Sequence, residues 1–364
     1  MSVSDRKWSV EKAAEWYKSQ PWLRGCNFIP STSINQLEMW QSETFDLDTI
    51  DRELGWAADL GLNAMRVYLH DLVWYQNADG FKARIDQYLK VSDRHGIKTI
   101  FVLFDDCWHD NPTLGVQPDP EPGVHNSGWL KGPGTKVLKD QSQWRRLEGY
   151  VKDIISTFGN DERVIIWDIY NEPKNNFLVS LKLSLVLRYA LLIRNLIKHL
   201  LVPSPTKKLL QKAFIWAREA NPTQPLTAGA YFLLSFLGAK LNAVCLELSD
   251  IISFHSYFGL RDTEKIVTNL GKHERPMICT EYMARSAGST FEDIMPFFRS
   301  KKIGAINWGL VAGKTQTMYS WEDYYPNGEE PSLWFHDILR SDGTPYSQKE
   351  NVLIQEITRV DMLE

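Results

Sequence analysis

Val164-Ile165-Ile166-Trp167-Asp168-Ile169-Tyr170-Asn171-Glu172-Pro173 is an apolar run that stops abruptly at Asn-Glu-Pro. Apolar residues fall on both alternating faces, with polar Asp161-Glu162-Arg163 before the run and a proline after it. The pattern describes a strand covered on both sides, as in a parallel sheet. Asn171 and Glu172 then stand at its carboxyl end. In α/β sheets and barrels that edge is where ligands bind, so a carboxylic acid delivered there reads as chemistry. An isolated Asn-Glu-Pro reads equally well as a solvated turn. A second copy tips the balance: Pro276-Met277-Ile278-Cys279-Thr280-Glu281-Tyr282 is another short buried-strand pattern ending in a glutamate. Two strand-end glutamates far apart in sequence converge only if both strands belong to one closed or strongly twisted parallel sheet. Glycosidic bond hydrolysis needs such a pair, one acid to protonate the leaving oxygen and one carboxylate to attack or to activate water.

Working outward, similar runs predict strand one at 23–30, strand two at 64–69, strand three at 98–104, strand five at 225–230, strand six at 250–257 and strand eight at 304–310. Helical periodicity predicts connections at 48–60 (capped by Asp46 or Asp48), 81–95, 144–158, 208–219, 264–271 and 291–299. Eight strands alternating with helices, with no domain-scale linker or repeat, predict one (β/α)8 TIM barrel over residues 1–364. Residues 1–22 hold a short amphipathic helix, with Val10, Ala13, Ala14, Trp16 and Tyr17 at helical spacing, expected to close the barrel bottom.

Several residues at the predicted carboxyl ends are candidates for a site. Arg66 is mid-strand, and a charged arginine pointing into a barrel is costly unless paired, so Glu281 is its expected partner. His255 and Tyr257 are two apart on one strand and so share a face. Asp105, Asp106 and Trp108 follow strand three, and Trp308 ends strand eight. The loop 31–44 carries Asn35, Gln36, Glu38 and Trp40 as sugar contacts, with capping of backbone amides as the alternative for Glu38. The segment 111–135, rich in Pro and Gly, is too long for an ordinary connection and reads as a lid, with His125, Asn126 and Trp129 within reach of a substrate. A leucine-rich stretch at 177–202, inside a helical insertion at 174–207, is interrupted by Lys182, Arg188, Arg194 and Lys198. It reads as a helix packed beside the site rather than a membrane span, with a membrane-surface role as the sharper alternative.

A net charge of −4 without a block of Lys or Arg leaves no footprint for nucleic acid. Fourteen Trp and fourteen Tyr suit a sugar-binding cleft, whose rings stack on pyranose faces, and suit core packing as well. Cys26, Cys107, Cys245 and Cys279 lack metal-ligand spacing and read as buried thiols. The first eight residues lack the apolar stretch of a signal peptide, so a reducing, cytoplasmic setting is expected.

Taken together, the Asn171-Glu172-Pro173 and Glu281 motifs, with Arg66, His255, Tyr257 and Trp308 on their strands, resemble the clan A retaining glycoside hydrolases. The closest likeness is to the family 5, cellulase-like branch. The resemblance implies that Glu172 is the acid/base and Glu281 the nucleophile. It implies that Asn171 holds the sugar 2-hydroxyl, that Arg66 and Tyr257 bond the nucleophile, that His255 lines the site and that Trp308 floors the cleaved sugar's subsite. No metal or organic cofactor is implied. Family 5 members commonly carry a histidine after strand three, where this chain has Asp105-Asp106. The expected activity is exo-acting, retaining β-glycosidase chemistry on short oligosaccharides or glycoconjugates, behind long loops after strands one, three, four and eight. An endo-β-glycanase of mannanase or cellulase type is the alternative enzyme. A catalytically inactive carbohydrate-binding barrel and a membrane-surface protein are the alternatives outside catalysis.

Overall fold

A computed structural model describes residues 6–175, 205–231, 233–234 and 239–359. Its strands are β1 (Arg24–Asn27), β2 (Ala64–Tyr68), β3 (Lys98–Val102), β4 (Val164–Asp168), β5 (Leu226–Thr227), β6 (Ile252–His255), β7 (Met277–Glu281) and β8 (Gly304–Trp308). They form one eight-stranded sheet in the order β5-β4-β3-β2-β1-β8-β7-β6, and every ladder is parallel. Beyond the two residues of β5, His255 N donates to Ala230 O at 2.9 Å and Ala230 N donates to Ser253 O at 3.2 Å. These bonds bring the two ends of the sheet together, and helices fill the crossovers, giving a nearly closed (β/α)8 barrel. The predicted fifth strand spanned 225–230. Its ladder is shorter, although the backbone stays beside the β4 chain, with Gly229 N donating to Tyr170 O at 3.0 Å, before Ala230 bonds β6.

Strand alternation sorts the side chains into two cores. Outward residues such as Val67, Phe101, Trp167, Phe254 and Ala305 pack against Ile50, Leu54, Ile85, Leu89, Leu147 and Val151 of the surrounding helices. Inward residues at the bottom form a separate plug of Ala64, Ile100, Ile166, Ile278 and Ile306. Each buried Ile or Leu is worth about 1.5–3 kcal/mol relative to exposure. The plug is covered by the helix Val10–Lys18, whose Ala13 joins it together with Trp8 and Leu23. Ser9 caps that helix by accepting from Lys12 N at 3.1 Å, and Trp8 N donates to Asp250 Oδ1 at 2.8 Å, fixing the helix under the barrel.

Asp46 caps the next crossover helix, Leu47–Asp59, by accepting from Thr49 N at 3.0 Å. All four cysteines are buried and unpaired. No helix among the described residues is long and apolar enough to cross a membrane. The stretch 177–202 lies outside the described residues.

Candidate active site

At the carboxyl ends of the strands the inward positions change character. On β2 the residues above Ala64 are Arg66 and Tyr68; on β4 Asp168 follows Ile166; on β8 Trp308 follows Ile306. On β7 the register skips a residue: Phe254 pairs with Cys279, but His255 pairs with Glu281. Such an irregularity re-aims a side chain, and here Thr280 and Glu281 both bond inside the barrel, to Ser253 Oγ at 2.6 Å and to Arg66 Nη1 at 2.9 Å. Glu172 lies just beyond β4 with φ of 41°, a left-handed conformation uncommon for a residue with a Cβ and of the kind that clusters at functional sites.

Glu281 is held on three sides. Its Oε1 accepts from Arg66 Nη1 at 2.9 Å and from the Tyr68 hydroxyl at 3.0 Å, while Oε2 accepts from the Tyr257 hydroxyl at 2.8 Å. Glu172 Oε1 is 2.6 Å from His255 Nδ1, and Oε2 accepts from the Cys107 thiol at 3.2 Å and from the Asn175 amide. His255 Nδ1 is also 3.4 Å from Glu281 Oε2. One ligand atom from each of Glu172, His255 and Glu281 lies within 4.8 Å of the others, and all three residues are buried. This spacing would also suit a divalent cation, but the His255 ring is engaged by Glu172 and the Arg66 guanidinium already balances Glu281, so the donors do not call for a second positive charge.

Burial raises the pKa of both glutamates. The opposing influences differ. Arg66 and the Tyr257 hydroxyl pull Glu281 back toward ionisation while the charge of Glu172 opposes it, and Glu172 is eased by the Asn175 and Cys107 donors and by Arg66. The two carboxyls are close enough that the charge of one disfavours ionisation of the other. Burial pushes His255 down to about 4, so its ring is neutral. Gly229 leaves room for that ring: a Cβ there would lie 3.0 Å from His255 Nε2 and 3.3 Å from Asn171 Oδ1.

Arg66 is fully buried and pairs with two carboxylates, not one. Nε and Nη2 donate to Asp168 Oδ2 at 3.0 and 2.8 Å, Nη1 to Glu281 and to Asn27 Oδ1 at 2.8 Å, and Nη2 to Asn171 Oδ1 at 2.6 Å. Asp168, Tyr68 and Asn27 were not singled out in the sequence. The signal was available, since each lies on the inward face of an apolar strand at the level of Arg66 or one step above it.

The structure thus brings Glu172, Glu281, Arg66, Asn171, His255 and Tyr257 into one network. Trp308 stands beside it, its ring 5.9 Å from Tyr68 and 5.5 Å from Trp129. Asp105 supports the network from behind: Oδ1 accepts from Asn171 Nδ2 and from Cys107 N, both at 2.9 Å, and Oδ2 from Trp129 Nε1 at 2.8 Å. Burial raises Asp105 to about 6. Trp108 is half-buried at the rim, 5.2 Å from the His125 ring.

Three other expected sugar contacts are corrected. Trp40 is fully buried among Phe45, Phe81 and Tyr88 and gives its indole N–H to Tyr68 O at 2.8 Å, so it belongs to the core. The residues around it form a helix, Gln36–Trp40, that turns its ring inward. Glu38 accepts from Ile34 N at 2.7 Å, the backbone role expected as its alternative, and pairs with Lys314 at 2.6 Å. Asp106 accepts from the Tyr170 hydroxyl at 2.8 Å, Lys174 N at 2.6 Å and the Thr206 hydroxyl at 3.0 Å, holding the chain after Glu172 in place.

The long loops join into a wall. Asn126 N donates to Thr315 O at 2.9 Å, the Gln316 amide to Glu121 O at 2.7 Å and Val124 O at 3.1 Å, and His125 Nδ1 is 2.8 Å from Tyr319 O. Asn35 Nδ2 donates to Gly128 O at 3.0 Å. With the Lys314–Glu38 pair, these bonds tie the loops after β1, β3 and β8 together on one side of the site.

No family model matches the sequence, and no curated protein matches it. Solved structures do resemble the fold. The GH5_18 protein of Streptomyces cattleya, in complex with GlcNAc, superposes with a TM-score of 0.59 at 12% identity, over 94% of this chain and 80% of that one. The exo-β-1,4-mannosidase of Opitutaceae bacterium strain TAV5 gives 0.57 at 16% identity, over 94% of this chain and 59% of that one. The β-mannanase of the blue mussel Mytilus edulis gives 0.54 at 16% identity, over 79% and 86%. At these identities the likeness is one of fold.

Proposed function

We propose that this chain is a retaining glycoside hydrolase that cleaves β-glycosidic bonds by double displacement, from the end of a short oligosaccharide or glycoconjugate. The observation that carries the reading is the pair of buried glutamates whose oxygens lie, with a His255 nitrogen, within 4.8 Å of one another. Retaining enzymes hold their carboxyl groups about 5–5.5 Å apart, whereas inverting ones leave roughly 6.5–9.5 Å for a water between them.

In this reading Glu281 attacks the anomeric carbon while Glu172 gives its proton to the departing oxygen. The bond that breaks is anomeric carbon to leaving oxygen, and the bond that forms is a glycosyl ester to Glu281. Esterification removes the charge on Glu281, which lowers the proton affinity of Glu172. Glu172 then takes a proton from water as the water attacks the same carbon and releases Glu281. Arg66, Tyr68 and Tyr257 keep Glu281 ionised and aimed before the attack and take back its charge afterwards. Trp308 offers an aromatic face to the sugar, and Asn171, steadied by Arg66 and Asp105, holds its 2-hydroxyl.

The joined loops after β1, β3 and β8 support end-on action, because a wall on one side of the glutamates stops a polymer from threading through. A β-mannoside heads the list of sugars to try, since similar folds belong to a mannosidase and a mannanase. The test is hydrolysis of aryl β-glycosides (mannoside, glucoside, galactoside, xyloside, fucoside) by wild type, Glu172→Ala and Glu281→Ala. Activity on one sugar, lost in Glu281→Ala and returned by azide as a glycosyl azide of inverted configuration, supports the mechanism and names the sugar. Cleavage of polymer alone would replace end-on with internal action. Inertness toward aryl glycosides, oligosaccharides and polymer alike would overturn the reading.

A further inference from the structure

The acid side of the site contains a feature that the reading above leaves unused. Both oxygens of Glu172 are engaged, Oε1 by His255 and Oε2 by a thiol and an amide. The thiol belongs to Cys107, which is buried, carried by the segment after β3 and fixed there by Asp105, which accepts from the Cys107 backbone N–H at 2.9 Å. Cys107 Sγ in turn accepts from Asn171 Nδ2 at 3.4 Å and from Asn175 Nδ2 at 3.6 Å. A continuous chain of donors therefore runs from Arg66 through Asn171 and Cys107 to Glu172, starting at the guanidinium that also holds Glu281. Hydrogen-bond chains polarise one another in a low-dielectric interior. Burial raises the Cys107 thiol well above its ordinary pKa, so it stays protonated and acts as a donor.

We propose that Cys107, together with Asn175, is a positioning group for the proton donor: it fixes Oε2 of Glu172 and links the acid to the Arg66 centre that holds the nucleophile. The proposal rests on the glycosidase reading. A donor to a carboxylate stabilises its ionised form, so Cys107 and Asn175 oppose the upward push of burial on Glu172. Around Glu172 the other titratable groups are His255 from β6, Arg66 from β2, Glu281 from β7, Asp105 after β3, Tyr231 after β5 and Tyr257 after β6. Among the described residues, the donors to Oε2 are Cys107 and Asn175. The local effect on that oxygen belongs to Cys107 and Asn175.

The sign follows directly. Glu172 must hold a proton for the first step, so activity falls as pH rises through its pKa. Cys107→Ala removes a donor to the ionised form, raises that pKa and moves the alkaline limb of kcat/KM upward, by about half a unit to one unit for one hydrogen bond. Cys107→Ser restores a donor and returns the limb toward wild type. Below the limb, Cys107→Ala lowers kcat/KM about tenfold on a glycoside with a poor leaving group, because the acid is misaimed. A dinitrophenyl glycoside, whose leaving group needs no proton, is turned over at the wild-type rate. A merely structural role would slow both substrates alike.

The experiment compares pH profiles of wild type, Cys107→Ala and Cys107→Ser on the two leaving groups, and records the infrared S–H stretch of Cys107 before and after Glu172→Gln. A limb shift in the alanine variant that serine reverses, confined to the poor leaving group, bears the proposal out. Identical limbs, or equal losses on both substrates, overturn it. The infrared arm needs no turnover: an S–H band that moves in Glu172→Gln supports the thiol–carboxyl bond, and a band that does not move overturns it even in an active enzyme. Should wild type cleave no glycoside, the glycosidase reading fails while the infrared result still decides the bond.

Discussion

The bottom and the top of this barrel are built on the same alternation and opposite chemistry. Below, Ile100, Ile166, Ile278 and Ile306 point inward and need only shape, and Trp8 and the helix that carries Ala13 close over them. One inward step above, Arg66, Asp168 and Glu281 occupy equally buried positions, where each charge must find a partner. The bottom is tolerant because apolar groups of similar volume can replace one another. The top is not: Arg66 alone serves Asp168, Asn27, Asn171 and Glu281, and removing it leaves several groups unmatched together. The difference teaches where this fold stores stability and where it spends it on chemistry.

The contrast can be attacked from the top downward. Under the proposed mechanism Glu281→Ala should lower kcat/KM by roughly 10⁴-fold or more with little change in Tm, since a lost nucleophile is not made good by the rest of the site. Glu172→Ala should cost roughly 10²–10⁴-fold on a poor leaving group and far less on an activated one, read from paired substrates in the same assay. Arg66→Leu should destabilise the fold by about 3–5 kcal/mol in urea unfolding, because Asp168 and Glu281 are left buried without their cation. Ile100→Ala should cost a comparable 2–5 kcal/mol, roughly, through its cavity, yet leave kcat/KM unchanged. If Ile100→Ala abolished turnover while Arg66→Leu spared it, the division between bottom and top would be wrong.

The smallest effect is expected at Tyr257. Its hydroxyl donates to ionised Glu281 at 2.8 Å, so Tyr257→Phe raises the Glu281 pKa. Activity that needs Glu281 ionised is then lost at a higher pH on the acid side, by about half a unit to one unit. A pH–rate profile whose acid limb stayed in place would show that Arg66 and Tyr68 alone set the charge.

How much of this was legible in the sequence follows the same division. Strand runs bounded by polar residues and proline predicted a (β/α)8 barrel, because period and composition carry that information locally. The Glu172 and Glu281 strand ends were legible for the same reason, and Arg66 announced itself as a charge inside an apolar strand. Asp168 was hidden in the same kind of position, within the run from Val164 to Tyr170, and Tyr68 was hidden by being aromatic and hence unremarkable in a core. Loop residues fared worse. Nothing local tells that Trp40 turns inward on a five-residue helix, that Glu38 meets Lys314, or that Cys107 reaches Glu172 from 65 positions away. Those contacts depend on how loops after different strands fold over one another, which is a property of the assembled barrel top.

Labelling by a slow-turnover 2-deoxy-2-fluoro-β-glycosyl fluoride of the preferred sugar, followed by peptide mass spectrometry, asks most directly whether Glu281 is the nucleophile. The expected result is one glycosyl mass added on the peptide containing Glu281, absent in Glu281→Gln and released on transfer to an acceptor. A label on any other residue, or steady turnover with no covalent species and an inverted product, would contradict the double-displacement assignment.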